Sequence, residues 1–166
     1  MPPVEPFSVS RVFDAPRKLV YEVCTKPEHM QQWMGPAGFE CVHSEMDLRV
    51  GGRYHYGLRG PNGIEMWGRQ IFREIEPERK LVYIQSFSDA EGGLTRHPMS
   101  PAWPLEMLAT LTFVDEGPNR TRLTISWQPY NSDAAGESAF DGSRGSMQQG
   151  FRGMLDKLES HVRSLS

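Results

Sequence analysis

The chain has 166 residues, 38% hydrophobic and 23% charged, with a formal net charge of −3 at neutral pH. These values are ordinary for one soluble globular domain and exclude a fibre or a disordered chain. Lys and Arg are interleaved with Asp and Glu and form no basic run, so nucleic acid is not an expected partner.

Phe7 to Phe13 alternates as a strand, with Phe7, Val9 and Phe13 on one side. Asp14-Ala15-Pro16 then reads as a helix start, Asp capping and Pro suiting the first turn. Leu19, Val20, Val23 and Cys24 recur at helical spacing until Lys26-Pro27 interrupts them. A second short helix, Glu28 to Met34, closes at Gly35-Pro36-Ala37-Gly38. From Phe39 the hydrophobic period changes to two. Strands are predicted over Phe39–Leu48 and Arg53–Arg59, with Tyr54, Tyr56 and Leu58 sharing a face. Gly60-Pro61-Asn62-Gly63 carries turn chemistry, after which strands return over Ile64–Ile75 and Leu81–Phe87.

Residues 89–104 form a long Pro/Gly-rich loop. Gly92-Gly93, Pro98, Pro101 and Pro104 bar it from a central strand. His97 and Trp103 there suit either a lid or a loop that covers a sheet edge. Two half-buried strands follow. In Met107–Val114 the residues Met107, Ala109, Leu111 and Phe113 face one way; in Thr121–Trp127 Thr121, Leu123, Ile125 and Trp127 do. Residues 134–165 read as one long helix with Phe140, Met147, Phe151, Met154, Leu155, Leu158, Val162 and Leu165 on its apolar stripe. Gly142, Gly145, Gly150 and Gly153 each cost about 1 kcal/mol against Ala in a helix interior. Space for the sheet or for a ligand would repay that cost, and fraying is the other explanation.

This order predicts an α+β domain over 1–166: a curved antiparallel sheet of about six to seven strands wrapped on a long C-terminal helix, with two short helices after strand 1. The order and several local motifs resemble the helix-grip superfamily of START domains, pollen allergens and aromatic polyketide cyclases (SRPBCC). Within it, the chain is similar to the family named for the activator of the heat-shock protein 90 ATPase. The resemblance rests on Phe13-Asp14-Ala15-Pro16 with Val20-Tyr21, on Pro27-Glu28-His29 with Trp33, and on Asp47 to Arg53. Arg59 to Gly63, Glu74-Ile75, Pro77 to Val82, and Gly150-Phe151 with Leu155 and Leu158 continue it. It implies the helix-grip fold. The chain has no room for the eukaryotic activator's extra chaperone-binding domain, so a chaperone ATPase stands as an alternative partner only. A homodimer stays open.

Chemistry is sparse. Cys24 and Cys41 have no zinc-type spacing and read as small buried hydrophobes. His29, His43, His55, His97 and His161 show no metal-ligand spacing, and no nucleophile motif occurs. No metal and no cofactor are expected. Met1 to Phe7 lacks the pattern of a signal peptide and no apolar stretch suits a bilayer, which predicts a cytoplasmic protein without a membrane partner.

The predicted function is binding of a hydrophobic or aromatic small molecule between sheet and C-terminal helix. The lining residues predicted are Trp33, Tyr54, Tyr56, Trp67, Arg69, Phe87, Met107, Ala109, Met147, Phe151 and Met154. Core packing explains each of them singly; the case rests on the group. Hairpin pairing would bring Glu65, Trp67, Arg69 and Ile71 onto the face of Tyr54 and Tyr56, unless a bulge flips the parity. Buried together, Glu65 and Arg69 would orient a ligand or serve a cyclase- or hydrolase-like reaction.

Overall fold

The structure, a computed structural model, describes residues 4–165. Strand β1 (Phe7–Phe13) is followed by helices α1 (Arg17–Val23) and α2 (Pro27–Trp33). Strands β2 (Glu40–Met46), β3 (Arg53–Arg59), β4 (Glu65–Glu76) and β5 (Lys80–Ser88) come next. The two-residue β6 (Leu94–Thr95), β7 (Glu106–Gly117) and β8 (Arg120–Tyr130) precede α3 (Ala134–Asp141) and α4 (Arg144–Ser164).

The strands form one antiparallel sheet in the order β1-β8-β7-β5-β4-β3-β2, with β6 paired to β5. Consecutive strands neighbour one another except at β6, which leaves β5 and β7 side by side, and at the start, where β1 returns to lie beside β8. Strands β1 and β2 are therefore opposite edges of a curled half-barrel, and α1 and α2 carry the chain from one edge to the other. They can do so only across the end of the sheet. Tyr21 of α1 meets Phe113 of β7 edge to face, ring centres 5.4 Å apart. The Trp33 indole N–H of α2 donates to the Val23 carbonyl at 2.9 Å, holding the two short helices together.

Alternation decides which side of each strand is core. Met107, Ala109, Leu111 and Phe113 of β7 are buried, as are Leu123 and Ile125 of β8. Their face is covered by α4, whose Phe151 stacks on Phe7 at 5.7 Å and packs edge-on to Trp127 at 4.9 Å. An ion pair between Arg11 of β1 and Asp156 of α4, 2.7 Å, closes the rim.

Three local expectations change. Asp14 does not cap α1: its N-cap is Pro16, without a side-chain cap bond, and Asp14 lies 3.3 Å from Arg120 instead. The loop at 89–104 contains the two-residue β6, an edge pairing that its prolines do not obstruct because they come later. The single long helix is two. Gly142 and Ser143 separate α3 from α4, and the Ser143 hydroxyl donates to the Ala139 carbonyl at 2.8 Å, competing with the helical ladder.

Candidate functional site

Between the sheet and α4 lies a cavity of about 520 Å³, within the size range of small-molecule sites. It is lined mainly by apolar side chains. Met30, Trp33 and Met34 of α2 and its following turn supply one end, and Met147, Phe151 and Met154 of α4 supply the roof. Leu58, Met66, Leu81, Phe87 and Met107 contribute from the sheet. His97, Ser100, Trp103 and Pro104 of the long loop close the other end. That loop is held by rings: Phe87 to His97 at 4.5 Å, His97 to Trp103 at 6.2 Å, and Trp103 to Phe140 of α3 at 6.1 Å.

The helix glycines divide by position. Gly150 borders the cavity, and a Cβ there would meet nothing within 4 Å. Gly153, one turn on, faces Ala37 so closely that a Cβ would lie 3.1 Å from it. One glycine leaves space and the other permits contact with the turn after α2. The Lys157 ammonium strengthens that contact by donating to the carbonyls of Met34, Pro36 and Phe39 at 3.3, 3.4 and 3.1 Å. Burial holds its pKa below the ordinary lysine value.

Of the residues predicted to line the pocket, Trp33, Tyr56, Trp67, Phe87, Met107, Met147, Phe151 and Met154 border this cavity. Tyr54, Arg69 and Ala109 do not. Tyr54 is fully buried and its hydroxyl hydrogen-bonds Ser44 at 2.8 Å. Ala109 is fully enclosed between Tyr83 and Trp127 in the strand register. Arg69 points the other way. The β3–β4 hairpin pairs Arg59 with Glu65 and Tyr54 with Gln70, so even-numbered residues of β4 share the face of Tyr54 and Tyr56.

This parity corrects the expectation for the whole strand. Glu65 is exposed, and Arg69 donates to the Gly92 carbonyl at 3.1 Å on the convex side. Trp67, although it borders the cavity, stacks its ring on His55 at 5.3 Å and lies 5.5 Å from His43, both on that convex side. Among the described residues no Glu–Arg pair lines the cavity. The physical reason is the five residues from Gly60 to Ile64 between the paired Arg59 and Glu65, closed by the Gly60 N–H to the Ile64 carbonyl at 2.7 Å.

The same parity brings in residues that the sequence reading missed. Gln70 of β4 and Tyr83 and Gln85 of β5 line the cavity. Gln85 donates its amide to the Tyr56 hydroxyl oxygen at 2.6 Å and to the Ser86 carbonyl at 3.3 Å. Gly68 makes this reach available, since a Cβ there would collide with the Tyr56 phenol. Burial raises the pKa of both Tyr56 and Tyr83, so each keeps its proton at neutral pH. The Cys24 thiol, also in the wall, is pushed up to about 12 by burial and stays protonated. Among the described residues no group of three His, Cys, Asp or Glu side chains is placed to hold a metal ion. No helix among them is long and apolar enough to cross a membrane.

A curled antiparallel sheet gripping a C-terminal helix, with a cavity between them, places the protein in the helix-grip class. Residues 14–163 match the model of the family described as activator of Hsp90 ATPase homolog 1-like protein, and the chain belongs to that family. No curated protein matches the chain significantly. Solved structures similar to it share the fold at low identity. A protein from Arthrobacter aurescens is 25% identical with a TM-score of 0.80, covering 97% of this chain and 87% of that one. One from Nitrosomonas europaea is 20% identical with a TM-score of 0.75, covering 99% and 97%. The AHSA1 protein of Silicibacter pomeroyi is 14% identical with a TM-score of 0.73, covering 97% and 99%.

Proposed function

We propose that the chain binds a hydrophobic or aromatic small molecule in the cavity between the sheet and α4. The observation that carries this reading is the 520 Å³ of space bounded by methionines and aromatic rings. Pockets of this size, lined mainly by apolar and aromatic side chains with a few polar groups, are the usual seats of small molecules. The methionines suit an irregular occupant because their unbranched side chains adapt to its shape. The loop carrying His97 and Trp103 supplies the cap.

Native mass spectrometry of freshly purified protein tests the reading by looking for a co-purified molecule. A thermal-shift screen with apolar and aromatic compounds complements it. The expected result is a rise in Tm that weakens in Phe151→Ala, where the ring that faces both Phe7 and Trp127 is lost. A broad library that gives no shift, together with no retained molecule, overturns the reading.

A further inference from the structure

The polar groups of the cavity wall define what the occupant must carry. Gln70 is only 4% exposed, yet its side-chain amide has no hydrogen-bond partner among the described residues. The Tyr83 hydroxyl, on a residue 7% exposed, has none either. Beside them, the Tyr56 oxygen accepts from Gln85, which leaves the Tyr56 proton to donate. The Gln85 amide nitrogen is oriented by its contact with the Ser86 carbonyl, which can only accept, so the Gln85 carbonyl oxygen is left over. Three adjacent strands therefore turn a cluster of incompletely used donors and acceptors toward one space. Polar groups in protein interiors are nearly always paired, and the space that these groups border is the cavity itself.

Charge is absent from the same wall. Among the described residues the lining contains no Asp, Glu, Lys or Arg. Burial lowers the pKa of its histidine, His97, and so favours the neutral imidazole. A carboxylate or an ammonium entering this space would give up its hydration with no counter-charge to meet it, a large cost.

We infer that the cavity selects an uncharged molecule with an apolar body and a carbonyl- or hydroxyl-type oxygen, seated against Gln70, Tyr56, Tyr83 and Gln85. This rests on the cavity being a binding site and adds the chemistry of its occupant. Within this cluster the donors free to reach such an oxygen are the Tyr56 and Tyr83 hydroxyls and the Gln70 amide, and Trp127, whose indole N–H is buried without a partner among the described residues, borders the same cavity. The apolar body fills the space toward Met147, Phe151 and Met154.

Calorimetric titration with four compounds on one skeleton tests it: naphthalene, its methyl ketone, its carboxylate and its methylammonium derivative. The wild-type protein is expected to bind the ketone about tenfold more tightly than the hydrocarbon, the worth of one well-made hydrogen bond to a buried group. Both charged compounds are expected to bind more weakly than the hydrocarbon. In Gln70→Leu and in Tyr56→Phe the ketone-to-hydrocarbon ratio falls several-fold. Circular dichroism melts confirm folding of each, and Tyr56→Phe carries the test should Gln70→Leu fail to fold. A ratio near one in the wild type, a ratio that neither substitution alters, or tightest binding of the carboxylate overturns the inference and leaves the cavity reading standing; water would then be what satisfies Gln70. Failure of all four compounds to bind overturns the inference, and the cavity reading falls with it when the broad library also gives no shift and no molecule is retained.

Discussion

The interface between α4 and the sheet has a packed end and a hollow end, and the two are built from different residues. Toward the C-terminus of α4, Leu155, Leu158 and Val162 are at most 3% exposed and share one core with Phe13, Val20, Phe113 and Leu123. Toward its N-terminus, Met147, Gly150, Phe151 and Met154 surround space instead. Branched aliphatic side chains with few rotamers fill the first end, whereas flexible methionines and a bare glycine leave the second unfilled. One helix thus anchors the fold with its last three turns and leaves room with its first three.

The largest effect expected from probing this contrast is at the packed end. Leu158→Ala, at a position with no exposure, should cost about 3 kcal/mol or more in urea unfolding, through lost burial and a new void. Met154→Ala, half-buried beside existing space, should cost only about 1 kcal/mol. Equal costs would mean that the two ends are packed alike.

The joint between the ends comes next. Lys157→Met keeps most of the side-chain stem but removes the ammonium that bridges three carbonyls after α2. A loss of about 1–2 kcal/mol is expected, with faster amide exchange in residues 34–39.

Acid should act on the same joint. His29 of α2 and His161 of α4 share a hydrogen bond at 2.9 Å, which requires one ring nitrogen without a proton. Desolvation, and then the neighbouring His29, lowers the pKa of His161 from its ordinary 6.5, and desolvation lowers those of His55 and His97. A lowered folded pKa means that the unfolded chain takes up protons first as pH falls. Stability is then complete above about pH 6.5 and declines as pH drops through the ordinary histidine range toward the folded values. Denaturation midpoints measured from neutral to mildly acidic pH should show this fall, reduced in His161→Gln.

The smallest effect has the opposite sign. Gly150→Ala places a methyl group where nothing lies within 4 Å, so helix propensity should raise stability by up to about 1 kcal/mol, or about 2–4 °C in Tm. Gly153→Ala, tight against Ala37, should gain less or lose. A Tm that rises equally in both variants would show that the glycines do not differ in role.

Much of this architecture was legible beforehand. The boundaries of β1 and β3 follow directly from alternation in Phe7–Phe13 and Arg53–Arg59, and Lys26-Pro27 marks the passage from α1 to α2. Glycine punctuation in 142–153 signalled something unusual in the last helix without saying what. The break at Gly142-Ser143, the open side at Gly150 and the close approach at Gly153 are three different outcomes of one residue type. The site was legible where a side chain's face follows from its own strand, as at Tyr56, Phe87 and Met107. It was not at Gln70 and Arg69, where the face depends on a hairpin partner.

The sequence by itself determined the order of elements, the apolar faces of most strands and the stripe on α4, because these arise from residue periods within one element. Only the tertiary structure decided which face of β4 looks inward and which end of α4 stays unfilled. Register depends on how many residues the Gly60–Ile64 loop consumes, and a void exists only where neighbours from several elements together fail to fill a volume. Neither quantity is local to any stretch of chain.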